Sequence, residues 1–120
     1  MLTIQTTKSL IHKLLINTSM KLLIITAIAD FDKDIKKMLK QASVKTFTYK
    51  EVKGFNDILE ESIESNWFGS EMNENESILY YAFVKIENVD LFFELVIGFN
   101  KKQESLANVH VAVLNIEKSN

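Results

Sequence analysis

The 120-residue chain has no cysteine, no proline and no arginine, and only three glycines. Without cysteine there can be no disulfide, thiolate nucleophile or cysteine zinc site, and a reducing cytoplasm is the expected compartment. Without arginine the rigid bidentate fork that grips phosphate, carboxylate or guanine is missing, so any phosphate would have to be held by lysines and backbone amides. Long apolar runs are lacking too. Leu22 to Ala29 lies between Lys21 and Asp30 and is too short to span a bilayer, so no membrane insertion is expected. No serine sits in a nucleophile elbow, and the two histidines are His12 and His110. With no visible catalytic machinery, the reading is that the chain is not an enzyme.

What is present suits a single globular domain. At 47 % hydrophobic and 25 % charged residues the chain can build a core, although a domain of this size buries only about two-thirds of its unfolded surface, and oligomerisation would help it. Residues 1–19 carry Lys8 and Lys13 and no acid, whereas residues 20–120 hold twelve lysines against sixteen acids. Leu10 to Ile16 is interrupted by His12 and Lys13, unlike the continuous apolar centre of a secretory signal. Met20-Lys21 looks like a natural start. Residues 1–19 are therefore expected to be a flexible extension or an upstream translation start, and residues 20–120 the domain.

Met20 to Ile28 is a nearly unbroken apolar run of strand length, which predicts a central strand covered on both faces. Asp30, Asp32 and Asp34 precede Lys33, Lys36, Lys37 and Lys40, an order that suits a helix dipole. Phe31, Ile35, Met38, Leu39 and Ala42 make one stripe of that helix. The same aspartates start like a calcium loop, but Ile35 and Gln41 stand where the loop needs glycine and a bidentate glutamate, so calcium is not expected there. Val44 to Phe55 has strand composition. Asp57 and Glu60 resemble a capping box opening a short helix with Leu59, Ile63 and Trp67 on one face. Gly69 to Glu76 reads as a flexible polar connection, and Ser77 to Ile86 as a third strand. Asn88 is placed as the cap of a second helix, apolar on most sides and so expected to be buried on most sides. Val109 to Ile116 completes the set as a fourth strand.

The order β-α-β-β-α-β predicts an α+β, ferredoxin-like sandwich: a four-stranded antiparallel sheet with two helices on one face. Because the strands read apolar on both sides, a subunit is expected to cover the other face.

With its Met20-Lys21 start, the segment Glu51-Val52-Lys53-Gly54-Phe55 and the long insertion after it, the chain resembles the PII-like superfamily of small trimeric sensors. The resemblance spans nearly all of residues 20–116 and implies a T-loop-like insertion at about 56–76. It also implies a homotrimer with an effector of unknown identity held in inter-subunit clefts near Lys53, Gly54 and Phe55. The insertion would then meet a protein partner, such as a transporter, through Glu60, Glu64, Trp67, Phe68 and Gly69. In the nucleotide-binding branch a glycine- and lysine-bearing segment after the second helix wraps the phosphates. Here that stretch, Gly98 to Asn108, has no glycine-rich loop, so ATP by the usual family route is not expected. The insertion also lacks a tyrosine, so the uridylylation seen in some relatives has no acceptor there.

Two other functions compete. A metal-binding or metal-tolerance accessory protein of the same fold would use the acidic insertion, with His110, Glu71 and Glu74 as candidate ligands, although a lone histidine among valines is more often a plain strand residue. An RNA-binding module shares the element order, and Tyr81-Ala82-Phe83-Val84 matches the middle of its third-strand motif. The basic-glycine pair of that motif is replaced by Leu79-Tyr80 and the domain is acidic, so no nucleic acid is expected.

Overall fold

Strict alternation of buried and open side chains along two central strands sets the architecture. The computed structural model describes residues 20–55 and 74–120. Its elements are β1 (Met20–Ile28), a 3-10 turn (Ala29–Phe31) running into α1 (Asp32–Gln41), β2 (Thr48–Phe55), β3 (Glu74–Lys85), α2 (Ile86–Lys102) and β4 (His110–Asn115). The sheet runs β2-β3-β1-β4 with every neighbouring pair antiparallel. This is the predicted ferredoxin-like arrangement.

In β1, Leu23, Ile25 and Ala27 turn toward the helices, and in β3 Ile78, Tyr80, Ala82 and Val84 do the same; all are buried. The predicted stripe of α1 meets them, with Phe31, Ile35, Met38, Leu39 and Ala42 all in the core, and α2 adds Val89, Phe92 and Val96. Burying each large apolar side chain stabilises the fold by roughly 1.5–3 kcal/mol. Asp32 and Asp34 stand in the first turn of α1 and Lys40 in the last, matching the dipole.

Four elements have boundaries that differ from the sequence reading. β2 begins at Thr48 rather than Val44. Ser43 adopts φ 62°, its N–H donates to the Lys40 carbonyl at 3.0 Å and the Val44 N–H to the Leu39 carbonyl at 2.9 Å. That is a Schellman turn, and it directs Val44 into the core instead of into a strand. β3 begins at Glu74 rather than Ser77, because Glu74, Asn75 and Glu76 pair with Phe55, Gly54 and Lys53. β4 spans His110–Asn115, one residue shorter at each end than expected. Asn88 does not cap α2: the helix starts directly from the end of β3, with Lys85 as its cap residue and no side-chain cap bond.

The expectation that α2 is buried on most sides also fails within one chain, since Leu91 and Ile97 are exposed. Its apolar character exceeds what α1 and the sheet can cover. Among the described residues no helix is long and apolar enough to cross a membrane. The expected extension over residues 1–19 and the short helix carrying Leu59, Ile63 and Trp67 lie outside the described residues.

Candidate functional site

The face of the sheet away from the helices changes character along its length. At one end it is apolar: Leu22 pairs with Phe83 and Leu114, and Ile24 with Tyr81 and Ala112. Tyr81, Phe83 and Leu114 are exposed there. At the other end, where β2 finishes and β3 begins, the same face turns polar. Thr26 stands opposite His110, Ser77 lies between Ile28 and Val52, and Asn75 faces Gly54.

This polar end forms the floor of a cleft of about 610 Å³ lined by residues 26–28 of β1, 52–55 of β2, Asn75 and Ser77 of β3, residues 106–108, and His110. Gly54 is required by close approach. A Cβ at this position would come within 2.5 Å of Ser77 Oγ and 2.6 Å of Asn75 Oδ1. Ser77 Oγ donates to Asn75 Oδ1 at 2.5 Å, so the absent side chain leaves room for a hydrogen-bonded pair lying across β2. Beyond this bond the pair retains further capacity, the N–H donors of the Asn75 amide and the lone pairs of the Ser77 oxygen.

Lys53 is one residue earlier and alternates to the opposite side of the strand. Its ammonium makes a short ion pair with Glu76, its cross-strand partner, and the hydrogen bond and charge of Glu76 hold the lysine above its ordinary range. Phe55, two-thirds exposed, pairs with Glu74 at the end of the ladder. The three residues predicted around an effector, Lys53, Gly54 and Phe55, thus all border one cleft, with Gly54 on its floor.

The far wall is a loop pinned at its base. The Asn100 amide donates to the Val109 carbonyl at 3.0 Å, and the Val109 N–H donates to Asn100 Oδ1 at 2.9 Å. Gln103 donates to the Phe99 carbonyl at 3.2 Å. Between these ties Leu106 is fully exposed. Gly98, the only glycine in the stretch from Gly98 to Asn108, lies inside α2 with open space beside it.

Behind the cleft, β2 and β3 are fixed to α1. The buried Tyr80 donates a short hydrogen bond to Asp32 Oδ1, Lys36 Nζ reaches Asp32 Oδ2 at 3.0 Å, and the same ammonium lies 4.1 Å from the centre of the Tyr49 ring. Burial works against the Asp32 carboxylate, but the hydrogen bonds from Tyr80 and Lys36 and the charges of Lys36 and Lys33 outweigh it and hold its pKa below the ordinary value. Burial, reinforced by the bond to Asp32, pushes the Tyr80 hydroxyl well up. Phe47, Tyr49 and Tyr80 form an aromatic cluster with ring centres 5.8–6.0 Å apart.

Of the candidate metal ligands, His110 lines the cleft, Glu74 sits at the start of β3, and Glu71 lies outside the described residues. Among the described residues no three His, Asp or Glu side chains come together around a metal position. The partner-loop residues Glu60, Glu64, Trp67, Phe68 and Gly69 also lie outside the described residues. Thr26, Asn75, Ser77 and Asn108 were not picked out from sequence. Strand alternation counted out from Gly54 would have found Asn75 and Ser77 once the β2–β3 register was known.

Architecturally the chain is a ferredoxin-like domain with a cleft of mixed polar and apolar lining at one end of a sheet face left open in the single chain. No protein-family model and no curated protein matches the sequence. Solved structures do match, and they define the fold as PII-like. A nitrogen regulatory PII-like protein, CPII from Thiomonas intermedia, bound to ADP, AMP and bicarbonate, superposes with a TM-score of 0.55 at 18 % identity, covering 83 % of this chain and 94 % of that one. GlnK from B. subtilis in complex with ATP gives 0.60 at 18 % identity, covering 82 % and 83 %. PII from Arabidopsis thaliana bound to citrate gives 0.58 at 12 % identity, covering 82 % and 78 %.

Proposed function

We propose that this chain is a non-enzymatic, cytoplasmic regulatory protein of the PII-like kind. It assembles as a homotrimer, takes a small effector in the cleft bordered by Lys53, Gly54 and Phe55, and engages a protein partner, such as a membrane transporter, through the insertion at about 56–76. The observation that carries this reading is the placement of the cleft. It opens where an apolar sheet face, left bare in the single chain, gives way to a hydrogen-bonding floor, so a neighbouring subunit covering the apolar end would also wall the cleft. The PII-like relatives bound to ADP, AMP, ATP or citrate support an effector-binding role for the fold.

Tyr81 and Phe83 are exposed on the open face, as an RNA-stacking platform would require, but their neighbours on β1 are Ile24 and Leu22. Aliphatic neighbours favour contact with another apolar surface over base stacking. Sedimentation and light scattering of the full chain test the assembly, and a clean monomer at micromolar concentration would contradict it. A thermal-shift screen of nucleotides, small anions, divalent metals and neutral metabolites tests the effector reading, because any ligand bound only by the native state raises the melting temperature.

A further inference from the structure

At the end of the sheet opposite the cleft, the α1–β2 connection passes the junction of β3 with α2 and leaves an open cavity of about 390 Å³. From Ser77, on the cleft floor, to Lys85, beside this cavity, β3 runs eight residues, about 27 Å at a strand rise of about 3.4 Å per residue, so the two places are separate. The connection contributes Ser43, Lys45 and Thr46 to the lining, and the junction contributes Lys85 and Asn88. Both segments are held in place. The Ser43 and Val44 N–H groups donate back to the Lys40 and Leu39 carbonyls of α1, Val44 is buried, and Lys85 closes the β1–β3 ladder opposite Met20. The chain has sixteen acids against fourteen lysines, yet the only ionisable groups lining this cavity are Lys45 and Lys85.

We propose that this cavity is a second binding site, one that takes a small phosphate-type oxyanion, with Lys45 and Lys85 supplying the counter-charge and Ser43, Thr46 and Asn88 the hydrogen-bond donors. Among the described residues the ion pairs are Lys36–Asp32 and Lys53–Glu76, so neither cavity lysine has a carboxylate partner there. Glu87, two residues past Lys85, is not part of the lining, and residues 1–19, which precede Met20, contain no acid. Two like charges brought to one cavity repel each other, and a bound dianion offsets that repulsion. Lysine binds phosphate as a point charge, which suits a chain without arginine. The two hydroxyls and the Asn88 amide donate to oxyanion oxygens and bring no charge of their own. Free inorganic phosphate and the phosphate monoester of a small molecule share this chemistry.

The test is a calorimetric titration of the full chain, at constant ionic strength, with pyrophosphate as the free oxyanion and glycerol 3-phosphate as the monoester. At least one is expected to bind saturably with a Kd below about 1 mM; the tighter of the two names the source, and either order upholds the site. Lys45→Gln and Lys85→Gln are each expected to weaken the tighter probe about tenfold, the lower end of what a hydrogen bond to a charged group is worth. Lys101→Gln removes the same charge at the exposed end of α2 and is expected to leave the affinity unchanged. Both cavity lysines are exposed, so the urea midpoint of each variant should match that of the native chain, which separates loss of binding from loss of fold. Amide shifts in a proton–nitrogen correlation spectrum locate the ligand without any substitution and are expected at Ser43, Lys45, Thr46, Lys85 and Asn88. Shifts confined to residues 52–55, 75 and 77 would put the anion in the cleft and overturn the proposal. An equal loss in Lys101→Gln, which is general charge screening, overturns it too, as does the failure of both probes to reach that affinity.

Discussion

The two faces of the sheet carry nearly the same kind of side chain and meet opposite fates. On the helix side Leu23, Ile25, Ile78 and Tyr80 are buried, whereas on the other side Tyr81 and Phe83 are exposed at 43 % and 57 %. Nothing in the local composition of β1 or β3 distinguishes them. The difference lies in what packs on them: the helices lie on one face, and the subunit contact proposed above would lie on the other.

Substitutions that act on one face only would break or sharpen this comparison. The largest effect on chain stability is expected from Leu39→Ala on the covered side, which opens a cavity in the core and should cost about 2–5 kcal/mol in urea denaturation. A loss below about 1 kcal/mol would mean the core is looser than its burial indicates. Asn100→Ala comes next. It removes both bonds to Val109 and leaves a buried backbone N–H and carbonyl without those partners, for about 1–3 kcal/mol by the same measurement.

Asp32→Asn follows, at about 1–2 kcal/mol near neutral pH, because hydrogen bonds to a charged group are replaced by weaker ones. It also has a pH signature. The folded pKa of Asp32 is depressed, so its contribution is fully present above the unfolded value of about 3.9 and is lost as pH falls through the folded value. The native chain should therefore lose stability below about pH 4 more steeply than the Asn variant. Tyr80 works in the opposite direction. With a raised folded pKa, its contribution holds below the unfolded value of about 10 and is lost as pH climbs above it. Equal acid-side slopes for native chain and Asn variant would remove Asp32 from the account.

The smallest effect on the chain itself is expected from Phe83→Asp on the open face. Compared at a concentration dilute enough for both proteins to be monomeric, it should change stability by no more than about 0.5 kcal/mol. At higher concentration it should reduce the sedimenting mass from trimer to monomer while the circular dichroism spectrum persists. An unchanged mass would show that this face is not the one a neighbour covers.

Much of the fold was legible because the signals were local. The apolar run over Met20 to Ile28 became β1 with those bounds, and the stripe Phe31, Ile35, Met38, Leu39 and Ala42 entered the core as a unit. The failures came where tertiary pairing overrode composition. Glu74 to Glu76 look like loop, yet they are strand because Lys53, Gly54 and Phe55 hold the other side of the ladder. Val44 looks like strand and is core, because a left-handed turn at Ser43 redirects the backbone. In the site, Gly54 was named because the segment Glu51-Val52-Lys53-Gly54-Phe55 resembles its PII-like counterpart. Asn75, Ser77 and Thr26 were not, since ordinary polar residues acquire meaning only from the register that sets them side by side.

The clasp between Asn100 and Val109 has a consequence for how such a domain can change over time. Because a single side chain closes both backbone groups of the residue that leads into β4, the alignment of that strand does not depend on the loop between them. Residues 104–106, all exposed, are expected to tolerate exchange while the sheet keeps its register, whereas Ala107 packs against the core. The tip of the cleft wall is thereby a replaceable part, one that can be re-engineered in the laboratory without renegotiating the fold.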